Sequence, residues 1–290
     1  MLHNAIWHIL KEIPQSTGEL AQKGFKSAES NRGWFNMGLN WHLIQAKLGL
    51  LSVAHVGFAV TLRTIWRSYY VSINRLYASK VFGIDIPPSW GLPQLKSLDM
   101  NVMPEYSEYS NDLSASSVVV DAGAGVGEYA VYCAKKFGCS VYAFEPVPAR
   151  YQAAKELAEH NSVKLELYNC GLSGVDSKMA VPGGISMAGA GAGNSSGEMP
   201  QVETLALDSL NLKRLDVFKI DTEGYELPVL NGAMRTITEF KPKIIIEVHG
   251  KRNKKYVLDL LEGLHYRIVY HNRAESTPYF DTMQTFVLTV

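Results

Sequence analysis

A mostly parallel α/β sheet with helices on both faces is the fold predicted for residues 98–290 of this 290-residue chain. Three observations predict it. The run Val118-Val119-Val120 ends in Asp121, and glycines at 123, 125 and 127 follow before a helical pattern starts. Strand-like and helix-like stretches then alternate, which calls for parallel pairing through right-handed crossovers. The last two strand patterns have no helix between them, so one closing strand must run antiparallel near the C-terminus.

The elements follow in order. An all-β-branched run with no polar alternation reads as a strand buried on both faces, here Val118–Asp121. A helix is expected over Glu128–Phe137, a second strand over Ser140–Phe144 and a helix over Pro148–His160, where Pro148 suits a first helical position. Lys164–Asn169 reads as the third strand. Residues 183–197 are Gly, Ala and Ser with almost no bulk, so a mobile loop is expected there. Strand Val217–Ile220, helix Leu227–Glu239, strand Lys243–Glu247 and helix Lys254–Leu264 come next. Tyr266–Tyr270 and Thr285–Val290 close the sheet.

Residues 1–97 are assigned to a helical extension, with breaks near Pro14–Gly18 and Asn31–Gly33. The turn-rich stretch Ile84–Pro93 cannot continue a helix and marks a boundary or a strap. Leu48–Leu62 carries no formal charge but is shorter than the about 20 residues a bilayer span needs. Ile44, Leu48, Leu51, Phe58 and Leu62 fall at helical spacing with His55 on the same stripe, as in a packed helix. The alternative is peripheral membrane contact through residues 41–70.

Composition narrows the partners. Lysine plus arginine equals aspartate plus glutamate, at 28 each, which argues against a long nucleic acid held by bulk charge. Cys133, Cys139 and Cys170 form no CxxC pair and read as buried thiols of a reducing compartment. No basic region followed by an apolar run opens the chain, so a cytoplasmic protein is expected, with membrane association open.

Four motifs carry chemistry. Gly125-Val126-Gly127-Glu128-Tyr129-Ala130 can be read as a dinucleotide GxGxxA loop. The alternative register is Asp121-x-Gly123-x-Gly125-x-Gly127, with an acid at the strand end. Carboxylates at Asp121 and Glu128 suit the ammonium of S-adenosylmethionine and disfavour a pyrophosphate. Glu145 lies 20 residues after Gly125, at the end of the second strand. A carboxylate there accepts ribose hydroxyls, so it indicates an adenosine ligand of either kind. Asn169 stands after the third strand, where an adenine edge is expected; Asn before Gly is also ordinary turn chemistry.

The third motif is Asp221-Thr222-Glu223-Gly224-Tyr225-Glu226. Three carboxylates this close repel unless a cation, Lys219 or a proton relieves them. Helix capping accounts for Glu223 or Glu226 but not for the whole cluster. The fourth, Glu247-Val248-His249, puts Glu247 and His249 on one face at a strand end. His249 there is a candidate general base, with Asp221 and Glu223 assisting; a His bonded to a neighbouring acid is the plainer reading. His249, Asp221 and Glu223 together also make a possible divalent-metal set, without diagnostic spacing.

The combination VVVDAGAGVGEY, AFEP, FKIDTEGYELPVLNGA and KPKIIIEVHG resembles the FkbM family of S-adenosylmethionine-dependent methyltransferases over roughly residues 115–290. The resemblance implies a Rossmann-like class I methyltransferase fold. It also implies methyl transfer to a hydroxyl of a sugar, glycan or glycosylated small product. Asp121, Gly123, Gly125, Gly127 and Glu145 would line the cofactor pocket. Asp221, Glu223, Glu226, Glu247 and His249 match the acceptor side. The family usually has Asn after the first Gly of its loop, where this chain has the GAG sequence with Gly125. Rival readings are an NAD-dependent oxidoreductase, a nucleic-acid methyltransferase and a non-catalytic adenosine-binding module. The first leaves the DTEGYE cluster unexplained; the second lacks both net positive charge and a [DN]PP[YF] segment.

Overall fold

The structure is a computed structural model. It describes residues 71–290 apart from 73, 99–102, 181–200 and 274–282, all within one compact unit, Tyr70–Val290. The expected packed helix at Leu48–Leu62, the proposed membrane contact at 41–70 and the expected mobile loop at 183–197 lie outside the described residues.

Seven strands form the main sheet: β1 (Val118–Ala122), β2 (Ser140–Phe144), β3 (Glu166–Tyr168), β7 (Val217–Ile220), β8 (Lys243–His249), β9 (Arg267–Arg273) and β10 (Met283–Thr289). Their order is β3-β2-β1-β7-β8-β10-β9. Only β10 runs antiparallel to its neighbours, pairing with β8 on one side and β9 on the other. The expected Rossmann-like class I methyltransferase sheet is therefore present. The antiparallel strand sits one place in from the edge, because β9 closes the sheet parallel to β8.

Strand alternation sorts the core onto two faces. Val119, Val217, Ile245 and Val287 pack on one side against α3 (Glu128–Phe137) and α4 (Pro148–His160). Val120, Phe218, Ile246 and Phe286 pack on the other, against α5 (Glu226–Asn231), α6 (Met234–Phe240) and α7 (Lys251–Gly263). Ala78, Phe82, Ile84, Trp90 and Leu95 belong to the first core. These residues fall within the stretch that the sequence reading assigned to the extension. They are tied down by polar contacts as well: Arg75 donates to the carbonyls of Pro87 and Trp90, and Trp90 Nε1 donates to Glu156. The short helices α1 (Leu92–Ser97) and α2 (Met103–Glu108) lead into β1.

Two local expectations change. The single helix expected over Leu227–Glu239 is two helices, because Asp208 caps the second from outside it. Its carboxylate accepts the amides of Arg235 and Thr236 at 2.8 and 2.9 Å, supplying partners for the open end of α6. A small second sheet, with β4 (Gly171–Leu172) and β5 (Ser177–Ala180) flanking β6 (Gln201–Leu205), was not expected. β6 is largely polar and only Thr204 is buried in it, so no apolar period marks it. Cys133, Cys139 and Cys170 are free thiols and buried, as expected. No helix among the described residues is long and apolar enough to cross a membrane.

Candidate active site

The parallel register sets the site. Asp121 on β1 pairs across to Lys219 on β7, and Glu247 on β8 pairs across to Thr285 on β10. These four side chains lie on the α3 face, at the edge of the sheet where the parallel strands end and antiparallel β10 begins, and all four are buried. An isolated charge in such an interior costs several kcal/mol, of order 3–5 when a buried pair is broken, so each must find a partner.

Lys219 resolves most of this. Its Nζ lies 3.0 Å from Asp121 Oδ1 and 3.9 Å from Asp221 Oδ2, and it donates to the Gly123 carbonyl at 2.8 Å. Burial alone would lower its pKa, but Asp121 and Asp221 outweigh that and hold it above the ordinary lysine value. Burial in turn pushes the Asp121 carboxyl up against the pull of Lys219. Asp121 Oδ2 is buried and has no hydrogen-bond partner among the described residues. Tyr106 covers this group: its hydroxyl donates to Glu247 Oε2 at 3.3 Å, and its ring centroid is 5.6 Å from Lys219 Nζ.

The glycine loop connects β1 to α3. A Cβ at Gly123 would lie 1.8 Å from the Asp221 carbonyl oxygen, and one at Gly127 would lie 2.9 Å from Ala154 Cβ on α4. Both glycines are thus required for close packing between protein segments. A Cβ at Gly125 would meet one atom within 4 Å, Glu128 Oε2 at an ordinary 3.8 Å, so no backbone packs against this glycine. The Gly125 amide donates to Glu145 Oε2 at 2.9 Å, and the Val147 amide donates to Glu145 Oε1 at 2.8 Å. Burial raises the Glu145 pKa to about 7 despite these donors. Glu145 therefore sits against the loop and also caps its own turn. Asn169 Nδ2 donates to the Glu145 carbonyl at 2.9 Å and that of Pro146 at 3.3 Å, which fixes the same turn. Glu128 opens α3 and is buried, with its Oε2 the nearest atom to the Cβ position of Gly125.

The second group gathers at the ends of β7 and β8. His249 Nδ1 is 3.0 Å from Glu226 Oε1, and Nε2 is 3.4 Å from Glu247 Oε1 and 3.7 Å from Glu223 Oε2. Burial would lower the imidazole pKa, but the hydrogen bonds to Glu226 and Glu247 raise it to about 10. A general base needs an unprotonated nitrogen near neutral pH, whereas this ring faces carboxylates on both sides. The expected acid cluster is present, with His249 as its counter-charge. Glu226, fully buried, also accepts the Gly224 amide at 2.8 Å and a bond from Asn253. Burial would raise its pKa, but His249 and that amide hold it below the usual carboxylate range. Glu223 stays exposed, in a left-handed conformation at φ 54°.

Asp221, Glu247 and His249 each offer a ligand atom, and these atoms lie within 4.8 Å of one another. The set expected from sequence had Glu223 in place of Glu247. Glu247 takes its place because it is buried beside the imidazole, whereas Glu223 turns outward.

Sequence reasoning overlooked Tyr106, which reaches Glu247 across 141 positions and stands in a stretch with no motif. Lys219 was considered only as relief for the DTEGYE acids. Its nearer partner is Asp121, and the available signal was a lysine inside the otherwise apolar strand Val217–Ile220.

Comparison with known proteins gives three findings. A family model described as the methyltransferase FkbM domain matches residues 121–268, just over half of the chain. Methyltransferase 1 of Beauveria bassiana (strain ARSEF 2860) is 27% identical over 160 residues, covering 46% of this chain and 64% of that protein. Hexuronic acid methyltransferase AglP of Haloferax volcanii is 28% identical over 149 residues, covering 50% of this chain and 61% of that protein. The chain thus spans a little under two thirds of the length of these relatives. The crystal structure of methyltransferase FkbM from Methylobacillus flagellatus KT overlaps with a TM-score of 0.42 at 21% identity, covering 76% of this chain and 60% of that one.

Proposed function

The chain belongs to the methyltransferase FkbM domain family, and on that premise we propose that it is an S-adenosylmethionine-dependent O-methyltransferase. Its acceptor is a hydroxyl of a sugar, glycan or glycosylated small product. The observation that carries this reading is the placing of two acid groups at adjacent strand ends. Asp121 and Glu145 flank the glycine loop; Asp221, Glu247 and His249 stand beside it, with Lys219 between.

The residues fit the cofactor. Asp121 Oδ2, a buried acceptor without a hydrogen-bond partner among the described residues, suits an ammonium. Glu145 suits ribose hydroxyls, and no backbone packs against Gly125 on the side where a Cβ would stand. Glu128 and Asn169 would flank the same ligand. When bound, S-adenosylmethionine supplies an electrophilic methyl on a sulfonium.

The chain's own work is to hold the acceptor oxygen in line and to take its proton. Orientation supplies most of the acceleration. Both nitrogens of His249 already face carboxylates, so the proton goes to Asp221, which is part-exposed at the strand end. His249 keeps Glu226 and Glu247 in place, and Glu223 contacts the acceptor from the exposed side. The hexuronic acid methyltransferase among the relatives supports a sugar acceptor. The segment at 41–70 would supply contact with a membrane surface.

A divalent cation at Asp221, Glu247 and His249 is a second reading, favoured by their 4.8 Å grouping. Two carboxylates and one imidazole suit Mg²⁺ or Mn²⁺, which would screen the acids and orient a sugar hydroxyl.

The test incubates the full chain with methyl-labelled S-adenosylmethionine and a panel of free hexoses and hexuronic acids. Label should appear on a sugar oxygen, and calorimetry should show S-adenosylhomocysteine binding more tightly than NAD. The opposite order of affinity would overturn the reading.

A further inference from the structure

We propose that Lys219 is a positioning residue that sets the cofactor loop against Asp221, and so aligns the methyl donor with the group that takes the acceptor's proton. This rests on the methyltransferase reading above. The argument starts from how much more Lys219 does than neutralise a charge. One aspartate would suffice to balance a buried ammonium, and Asp121 at 3.0 Å does so. Lys219 also donates to the Gly123 carbonyl at 2.8 Å and approaches Asp221 at 3.9 Å. Its three N–H groups are thereby directed at β1, at the loop that follows β1, and toward the residue that ends β7.

The backbone repeats the connection. The Asp221 amide donates to the Ala122 carbonyl at 2.9 Å, and the Gly123 Cα sits directly against the Asp221 carbonyl. The loop itself hangs from β2, since the amides of Gly123 and Ala124 both donate to the Phe144 carbonyl at 3.0 and 2.9 Å. Lys219 holds this loop from the β7 side at the Gly123 carbonyl, while Glu145 holds it from the β2 side at the Gly125 amide. The Tyr106 ring lies over the ammonium and excludes water that would otherwise compete for its donors.

A lysine acting only as counter-charge should become dispensable once Asp121 is neutral. Two variants of the full chain decide this: Asp121→Asn and Lys219→Met/Asp121→Asn. Lys219→Met alone leaves Asp121 buried and uncompensated, so its failure to fold would be uninformative; the double variant removes that charge. Two quantities are measured, the S-adenosylhomocysteine dissociation constant and the amide hydrogen exchange of Gly123–Gly127.

Relative to Asp121→Asn, the double variant should bind S-adenosylhomocysteine at least tenfold more weakly and exchange its loop amides at least tenfold faster, at a similar melting temperature. Equal loop exchange in the two variants overturns the proposal, whatever the ligand does. Wild-type protein that fails to bind S-adenosylhomocysteine overturns the cofactor reading instead, and the inference with it. The exchange arm needs no ligand, so the two failures are separate.

Discussion

Gly123 and the Asp221 carbonyl are in such close contact that a Cβ at Gly123 would lie 1.8 Å from the oxygen. The first glycine of the loop therefore joins the ends of two strands, whereas two residues later, at Gly125, a Cβ would meet one side-chain atom at an ordinary 3.8 Å.

Replacing Gly123 by Ala should be among the most damaging single changes in the chain. It forces β1 and β7 apart and places a Cβ at φ 78°, so a loss above about 4 kcal/mol is expected. Gly125→Ala meets no atom closer than 3.8 Å and should cost only about 1–2 kcal/mol for its left-handed backbone. It should nonetheless weaken S-adenosylhomocysteine binding at least tenfold. Thermal melts with and without that ligand check both outcomes.

Glu145 predicts a pH dependence. Its folded pKa, about 7, is raised by burial above the ordinary 4.5. Folding thus favours the protonated carboxyl, and its contribution to stability is complete below pH 4.5 and lost as pH rises through 7. The loss is bounded by about 3 kcal/mol at 1.36 kcal/mol per unit. Ribose hydroxyls need the ionised form as acceptor, so S-adenosylhomocysteine affinity should rise over the same interval. Glu145→Gln should flatten both curves between pH 5 and 8, measured by melting and by calorimetry.

For His249 the sign check gives a different window. Its folded pKa, about 10, is above the ordinary 6.5, so its stabilisation is complete below pH 6.5 and is lost as pH rises through 10. His249→Gln leaves Glu226 and Glu247 without their cation and should cost on the order of 3–5 kcal/mol at pH 6, the range for breaking a buried pair. Urea denaturation at pH 6 and pH 9.5 should show the cost shrinking at the higher value. A methylation profile with an ascending limb near pH 6.5 that His249→Gln abolishes would restore His249 as the base.

The cation reading makes its own prediction. Mn²⁺ should raise the melting temperature of the full chain, as a ligand specific for the native state does. Glu247→Gln should abolish the rise, and Glu223→Gln should leave it, because only Glu247 groups with Asp221 and His249. No shift with wild-type protein would remove the metal from the site.

Most of the sheet was legible because its strands are buried on both faces. Val118–Val120 and Ile244–Ile246 are apolar runs, and Val217–Ile220 is apolar but for Lys219; no other element explains them as well, and acids mark where they stop. The resemblance to the FkbM family added the expected uses of those acids, and the match over residues 121–268 shows the family. What was not legible came from contacts distant in sequence. Asp208 splits a helix 27 positions away, and the polar strand β6 gains its place by pairing, not by hydrophobic pattern.

The sequence by itself determined which charged residues stand at or near the strand ends, because a charge that interrupts or closes an apolar run is conspicuous. Asp121, Asp221, Glu247 and His249 were all found that way. Only the tertiary structure decided how those charges are paired. Lys219 goes to Asp121 and Gly123 because β1 and β7 are neighbours in register, and His249 goes to Glu226 and Glu247 because α5 begins beside the end of β8. The energy of a charge in a dry interior is set by its nearest opposite charge, and strand order decides which one that is.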